Sequence, residues 1–118
     1  MKDHNILADK SLNFGVRIVN CFKFLTREKK EHMMSKQIYR SGTSIGANIH
    51  EGLQAQSKPD FISKMGIALK EASETAYWLK LLVKTDYISP KMFDSLITDC
   101  DELSRLLTAI IKSARENE

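Results

Sequence analysis

The run Arg40-Ser41-Gly42-Thr43-Ser44-Ile45-Gly46-Ala47-Asn48-Ile49-His50-Glu51-Gly52 most constrains what this chain can fold into. It lies inside a long helical pattern, yet it is a poor helix former. Gly42, Gly46 and Gly52 each cost a helix interior about 1 kcal/mol against Ala, and Ser41, Thr43, Ser44 and Asn48 add smaller penalties. Such a helix persists only if close packing against other elements restores its stability, and small residues permit close approach. Wound at about 100° per residue, Ile38, Ile45 and Ile49 fall within about 40° of one another, with Gly52 near them, as a narrow apolar ridge. Arg40, Ser44 and Glu51 gather about 140° from that ridge, and Asn48 sits between. The expectation is a packed helix whose polar groups satisfy one another or a neighbouring chain; a polar patch for a ligand or nucleic acid is the alternative. A phosphate-cradling loop does not fit, because Gly-Lys-[Ser/Thr] is absent and no strand precedes the glycines.

The rest of the chain supplies helices for this one to pack on. Leu7, Ser11, Phe14, Ile18, Cys21 and Leu25 repeat at 3-4 spacing within a helix expected from Asn5 to Arg27. Leu12, Val16 and Val19 form a second apolar patch on that helix. Lys10, Asn13, Arg17 and Asn20 take the side expected to face water. Arg27 to His32 has no periodicity and reads as a solvated turn before a second helix, from about Met33 to Ala55. Ser57-Lys58-Pro59-Asp60 carries a cap, a first-turn Pro and an acid near the positive end of the helix dipole. It opens a third helix reaching Lys84, with Phe61, Met65, Ala68, Ala72, Thr75, Leu79 and Leu82 inward. Ser89-Pro90 opens a fourth, with Phe93, Leu96, Cys100, Leu103, Leu107 and Ile110 as its seam and a tail expected to fray after Ala114. Short connections favour antiparallel neighbours. The expected architecture is all-α: one domain over 1–118, an antiparallel up-down-up-down four-helix bundle.

At 118 residues such a domain buries a core without disulfides or metals. Cys21 and Cys100 make no Cys-x-x-Cys pair and fall on apolar stripes, as buried reduced thiols would. With no apolar leader after Met1 and no long apolar run elsewhere, a cytoplasmic protein without a membrane span is expected. The formal charge of +3 is unevenly placed. Residues 1–59 hold ten Lys or Arg against five acids, and residues 60–118 hold eight against ten. That asymmetry fits a basic face for nucleic acid and equally a chain whose halves attract each other.

Catalytic constellations are missing. His50-Glu51 begins a His-Glu-x-x-His pattern, but position 54 is Gln. His4, His32 and His50 share no metal-ligand spacing, and no serine-nucleophile elbow, P-loop or dinucleotide fingerprint occurs. Glu71 and Glu74 fall beside Trp78 on one helix side without a nucleophile or ligand set. They are expected to be structural, meeting Arg40 or a basic group across an interface. No enzyme, cofactor, metal or small-molecule substrate is expected.

Ser44-Ile45-Gly46-Ala47-Asn48-Ile49-His50-Glu51-Gly52 resembles the Ser-Ile-Pro-x-Asn-Ile-Ala-Glu-Gly signature of a bacterial family of four-helix-bundle proteins. That family was first noticed as reading frames within intervening sequences of 23S rRNA genes. Lys58-Pro59-Asp60-Phe61 and the run from Ala68 to Leu79 match it again. Gly46 stands where many members have Pro, and His50 where most have Ala. Distant relatives look like accessory variability proteins of retroelements, which bind a reverse transcriptase and nucleic acid. The resemblance implies a cyclic homo-oligomer, a pentamer, for which Leu12, Val16, Val19 and Trp78 are the candidate interface. It also gives weight to RNA or a ribonucleoprotein as partner, with Arg17, Arg27, Lys29, Lys30, Lys36 and Arg40 as candidate phosphate contacts. No aromatic interleaving accompanies them, so little base preference is expected. The competing reading is a protein–protein scaffold whose charge serves solubility.

Overall fold

A computed structural model describes residues 2–117, which form four helices: α1 (Lys2–Arg27), α2 (Met34–Leu53), α3 (Lys58–Lys84) and α4 (Pro90–Glu116). The apolar seams named above turn inward, except that Phe61 and Phe93, expected on the core side, are half-buried at its margin. Leu7, Phe14, Ile18, Cys21 and Leu25 of α1 meet Ile38, Ile45 and Ile49 of α2, Met65, Ala68, Ala72, Leu79 and Leu82 of α3, and Leu96, Cys100, Leu103 and Leu107 of α4 in one core. Cross-helix pairs run in opposite directions along every adjacent pair they join, as in Ser41–Thr75 with Glu51–Lys64 and Arg17–Asp99 with Lys10–Glu102. The bundle is therefore antiparallel throughout.

The glycines of α2 are where its neighbours come close. A Cβ on Gly42 would stand 2.6 Å from Cγ1 of buried Ile18, and one on Gly46 would stand 3.3 Å from the Ser11 carbonyl oxygen. Gly52 does the same toward α3, where a Cβ would fall 2.7 Å from the Met65 methyl carbon. The helix penalty of these residues is thus offset by close contact with α1 and α3. Gly66 has nothing within 4 Å of its notional Cβ. Gly66→Ala should raise stability by up to about 1 kcal/mol through helix propensity. Gly42→Ala should lower it by about 1–2 kcal/mol, because overpacking against Ile18 outweighs the same gain. Denaturant melts of the two variants, moving in opposite directions from the parent, check this.

Caps stop and start the helices. Ser57 Oγ accepts from the Asp60 N–H at 3.2 Å, and Ser89 Oγ from Met92 at 3.1 Å. The start of α2 is different. Glu31, in the stretch expected to be a solvated turn, is buried and accepts from the N–H groups of Met33, Met34 and Ser35 at 2.7–3.1 Å. One carboxylate thereby satisfies three donors that the first turn leaves free. Burial opposes its ionisation, but the three backbone donors outweigh burial and hold the carboxyl below its usual range.

Glu31→Gln should cost about 1 kcal/mol at neutral pH. The folded-state value is depressed, so the carboxylate's contribution is fully present above about pH 4.3, the unfolded value, and is lost as pH falls through the lower folded value. Melts at several pH values should show parent and variant converging as pH falls from about 4.3 through the depressed folded-state value.

Two further boundaries and one side chain differ from expectation. α1 begins at Lys2 rather than near Asn5, with Asp3 in its first turn. α4 continues to Glu116 rather than fraying after Ala114; Lys58 of α3 donates to the Asn117 carbonyl at 2.8 Å and ties down that end. Arg17 does not simply face water: it binds the Asp99 carboxylate at 2.7 Å and the Ser95 carbonyl at 3.2 Å. The last two contacts are long-range side-chain reaches between helices, which periodicity on a single helix does not encode.

Candidate functional site

The polar side of the motif helix is engaged within the protein. Ser44 Oγ donates to the Arg40 carbonyl at 2.6 Å, Asn48 Nδ2 to the Ser44 carbonyl at 2.9 Å, and His50 Nδ1 lies 2.8 Å from the Gly46 carbonyl oxygen. These side chains bond back along their own helix. Arg40 spans to α3, where it pairs with Glu71 at 3.0 Å and also with Glu74. Trp78 Nε1 donates to Glu74 at 3.1 Å; with Arg40 it keeps that carboxyl below its usual range. Glu51 pairs with Lys64 at 3.2 Å, and Ile45, Ile49 and Gly52 are buried. The motif is the joint between α2 and its two neighbours.

Of the six candidate phosphate-contacting residues, Arg17 and Arg40 are held by carboxylates of α4 and α3. Arg27, Lys29, Lys30 and Lys36 remain exposed, and all four lie around the α1–α2 turn. Antiparallel packing sets the α3–α4 turn at the same end of the bundle. That turn brings exposed Lys80, Lys84 and Lys91, which the split into a basic and an acidic half had assigned to the acidic side. A cleft lined by Phe24 and Lys29 together with Asp86, Tyr87, Ser89 and Met92 joins the two turns. With Glu31 committed to its cap, Glu28, Asp86 and Asp94 are the acids nearby in sequence, so this pole is strongly basic. The signal available in the sequence was that Lys84 and Lys91 flank a short link, which antiparallel topology must place beside 27–33.

The candidate interface residues separate into two places. Leu12, Val16 and Val19 line an α1–α2 groove of about 460 Å³ with Gly15, Thr43 and Ala47, and Leu12 and Val16 are 60% and 55% exposed. Trp78 lies on α3, half-buried, with Tyr77 packed edge-on at 5.3 Å and itself exposed. Cys21 and Cys100 are buried free thiols; burial pushes them up to about 11 and about 12. Among the described residues no group of three or more His, Cys, Asp or Glu could hold a metal ion, and no helix is long and apolar enough to cross a membrane.

The sequence model of the 23S rRNA-intervening sequence proteins matches residues 3–109 of this bundle. The chain belongs to that family. A crystal structure of a protein of unknown function from the S23 ribosomal protein family of Bacteroides thetaiotaomicron superposes with a TM-score of 0.92. It is 61% identical, and the match covers 95% of this chain and 99% of that one. No curated protein matches. As a 23S rRNA-intervening sequence protein, the chain uses the motif that carries the resemblance to build its helix joints, and the exposed lysines of the two turns lie outside it.

Proposed function

We propose that this intervening-sequence protein is a non-catalytic, ring-forming RNA-binding protein that grips phosphates with the basic pole of each subunit. The observation that carries the reading is the convergence of Arg27, Lys29, Lys30, Lys36, Lys80, Lys84 and Lys91, all exposed, at the end where two turns meet. The names borne by the family and by the similar structure, an rRNA intervening sequence and a ribosomal protein family, lend it support.

Two apolar patches support the assembly. A closed ring needs two different, complementary surfaces on each subunit. The Leu12–Val16–Val19 groove and the Tyr77–Trp78 projection are two such surfaces on different helices. Joined side to side, subunits leave their poles uncovered and repeat the basic surface along one rim, so weak single contacts sum by multivalency. Light scattering after size exclusion should report several chains, five by resemblance, and Val16→Glu should lower that number toward one. A parent of 13.5 kDa at micromolar concentration contradicts the ring.

The binding itself is tested by titrating structured rRNA fragments at two salt concentrations. Affinity that is present at low salt and falls steeply with salt supports the reading. Absence of binding at low salt overturns it in favour of the competing scaffold reading, which the exposed groove favours, and a nuclease-insensitive partner list from a pull-down would then identify what the scaffold holds.

A further inference from the structure

We infer that the cleft joining the two turns at the basic pole is a base pocket, which takes one unpaired guanine of a bound RNA strand. The inference rests on the RNA reading above and adds to it a site that phosphate contact alone does not require.

The cleft has about 410 Å³ of space and is walled by Phe24, Tyr87 and Met92. Phe24 and Tyr87 are half-buried, so their rings are fixed by the core yet reachable, and Ile88 beneath is only 3% exposed. An apolar, aromatic-walled slot amid phosphate-binding lysines is what a single-stranded nucleic acid uses to hold a splayed base. Lys29 already stands with its ammonium 5.8 Å from the Phe24 ring centre, so a cation and an aromatic surface occur together there.

The polar groups choose the base. Asp86 lines the same cleft, and its carboxylate has neither an ion pair nor a hydrogen-bond partner among the described residues. Guanine presents the N1–H and N2–H donors side by side, which match the two oxygens of a carboxylate, and its O6 acceptor lies next to them, within the reach of an ammonium. Adenine, cytosine and uracil do not offer two adjacent donors with a neighbouring acceptor. Lys29 and Asp86 are therefore complementary to the pairing edge of guanine.

The backbone adds an independent pointer. Among the described residues, the non-glycine residues at positive φ are Lys30, at 55°, and Asp86, at 66°. One lies in each turn of this pole. Asp86 closes α3: its N–H reaches the Val83 carbonyl at 3.2 Å and the Tyr87 N–H reaches Leu82 at 2.9 Å, a pattern in which glycine is the favoured residue. Both turns keep a charged side chain where glycine would be less strained, and of the two Asp86 lines the cleft, while Lys30 follows Lys29, which also lines it.

The test uses the whole protein and fluorescein-labelled six-nucleotide RNAs: all-uridine, one guanosine in a uridine background, and inosine in place of that guanosine. The guanosine strand should bind about tenfold more tightly than the uridine strand, and inosine, which lacks the N2 donor, should lose most of that gain. Asp86→Asn should abolish the guanosine-over-uridine ratio, while uridine binding, relieved of one negative charge at the pole, should tighten slightly; Asn tolerates the left-handed turn, so the fold persists. Tyr87→Leu, checked by melting for an intact bundle, should weaken the guanosine strand alone. If all three strands bind equally and Asp86→Asn shifts them all alike, the pocket is refuted and phosphate binding stands. If no strand binds at low salt, the RNA reading falls and the pocket with it.

Discussion

Ile45→Asp is expected to unfold the bundle. Ile45 is fully buried on the ridge that α2 drives between its neighbours, in the core shared with Ile38 and Ile49. Gly42 and Gly46 beside it admit close approach by α1, so the wall around Ile45 has little room to open. The variant loses the contacts of a buried Ile and places a carboxylate where no donor waits. Together these cost on the order of 5 kcal/mol, comparable with the whole stability of a domain this size. Far-ultraviolet circular dichroism should show the helical signal largely gone at 25 °C, whereas Ile45→Val should melt within about 1 kcal/mol of the parent. A parent-like melt for Ile45→Asp would place that side chain outside the core.

The second large effect concerns salt. Replacing Lys29, Lys30, Lys84 and Lys91 with Gln removes four charges from the pole and touches no core residue. On single-stranded RNA four phosphate contacts contribute about 2.8 to the slope of log affinity against log salt. A fourfold rise in salt should therefore weaken the parent by about 50-fold, while the quadruple variant should respond far less. Helicity and subunit number should be unchanged. A pair of variants sharpens the attribution: Lys29 with Lys30 and Lys84 with Lys91 should each remove about half of the slope, because the two turns form one surface. If only the first pair matters, the α3–α4 turn is not part of the grip.

How much of this was legible beforehand depends on the distance over which each feature is built. The seams of α1, α3 and α4 were readable residue by residue, because burial on one side of a helix imposes its own period on the sequence. The caps at Ser57 and Ser89 were readable for the same reason, being local. Glu31 was not: in a run of charges, nothing separates the one acid that turns inward from its neighbours. The pole was hidden differently. Dividing the chain at residue 59 put Lys80, Lys84 and Lys91 in the acidic half, whereas antiparallel packing sorts charge by end of the bundle. The ion pairs that occupy Arg17 and Arg40 belong to the same class of feature, since a candidate contact residue looks free until its partner helix is in place.

One seam of the bundle is unlike the others. α1 and α4 touch far less than consecutive helices do, and the contacts named between them include long polar reaches, Arg17 to Asp99 and Ser95 and Lys10 to Glu102. Nearly every other packing contact joins helices adjacent along the chain. The packing is thus local in sequence, and each helical hairpin closes with little loop entropy lost. The first helix meets the last partly through half-exposed ion pairs worth a fraction of a kcal/mol each. The α1–α4 seam is thus the most sparsely packed in the bundle, and the amides along it should be the ones through which solvent first enters the native state.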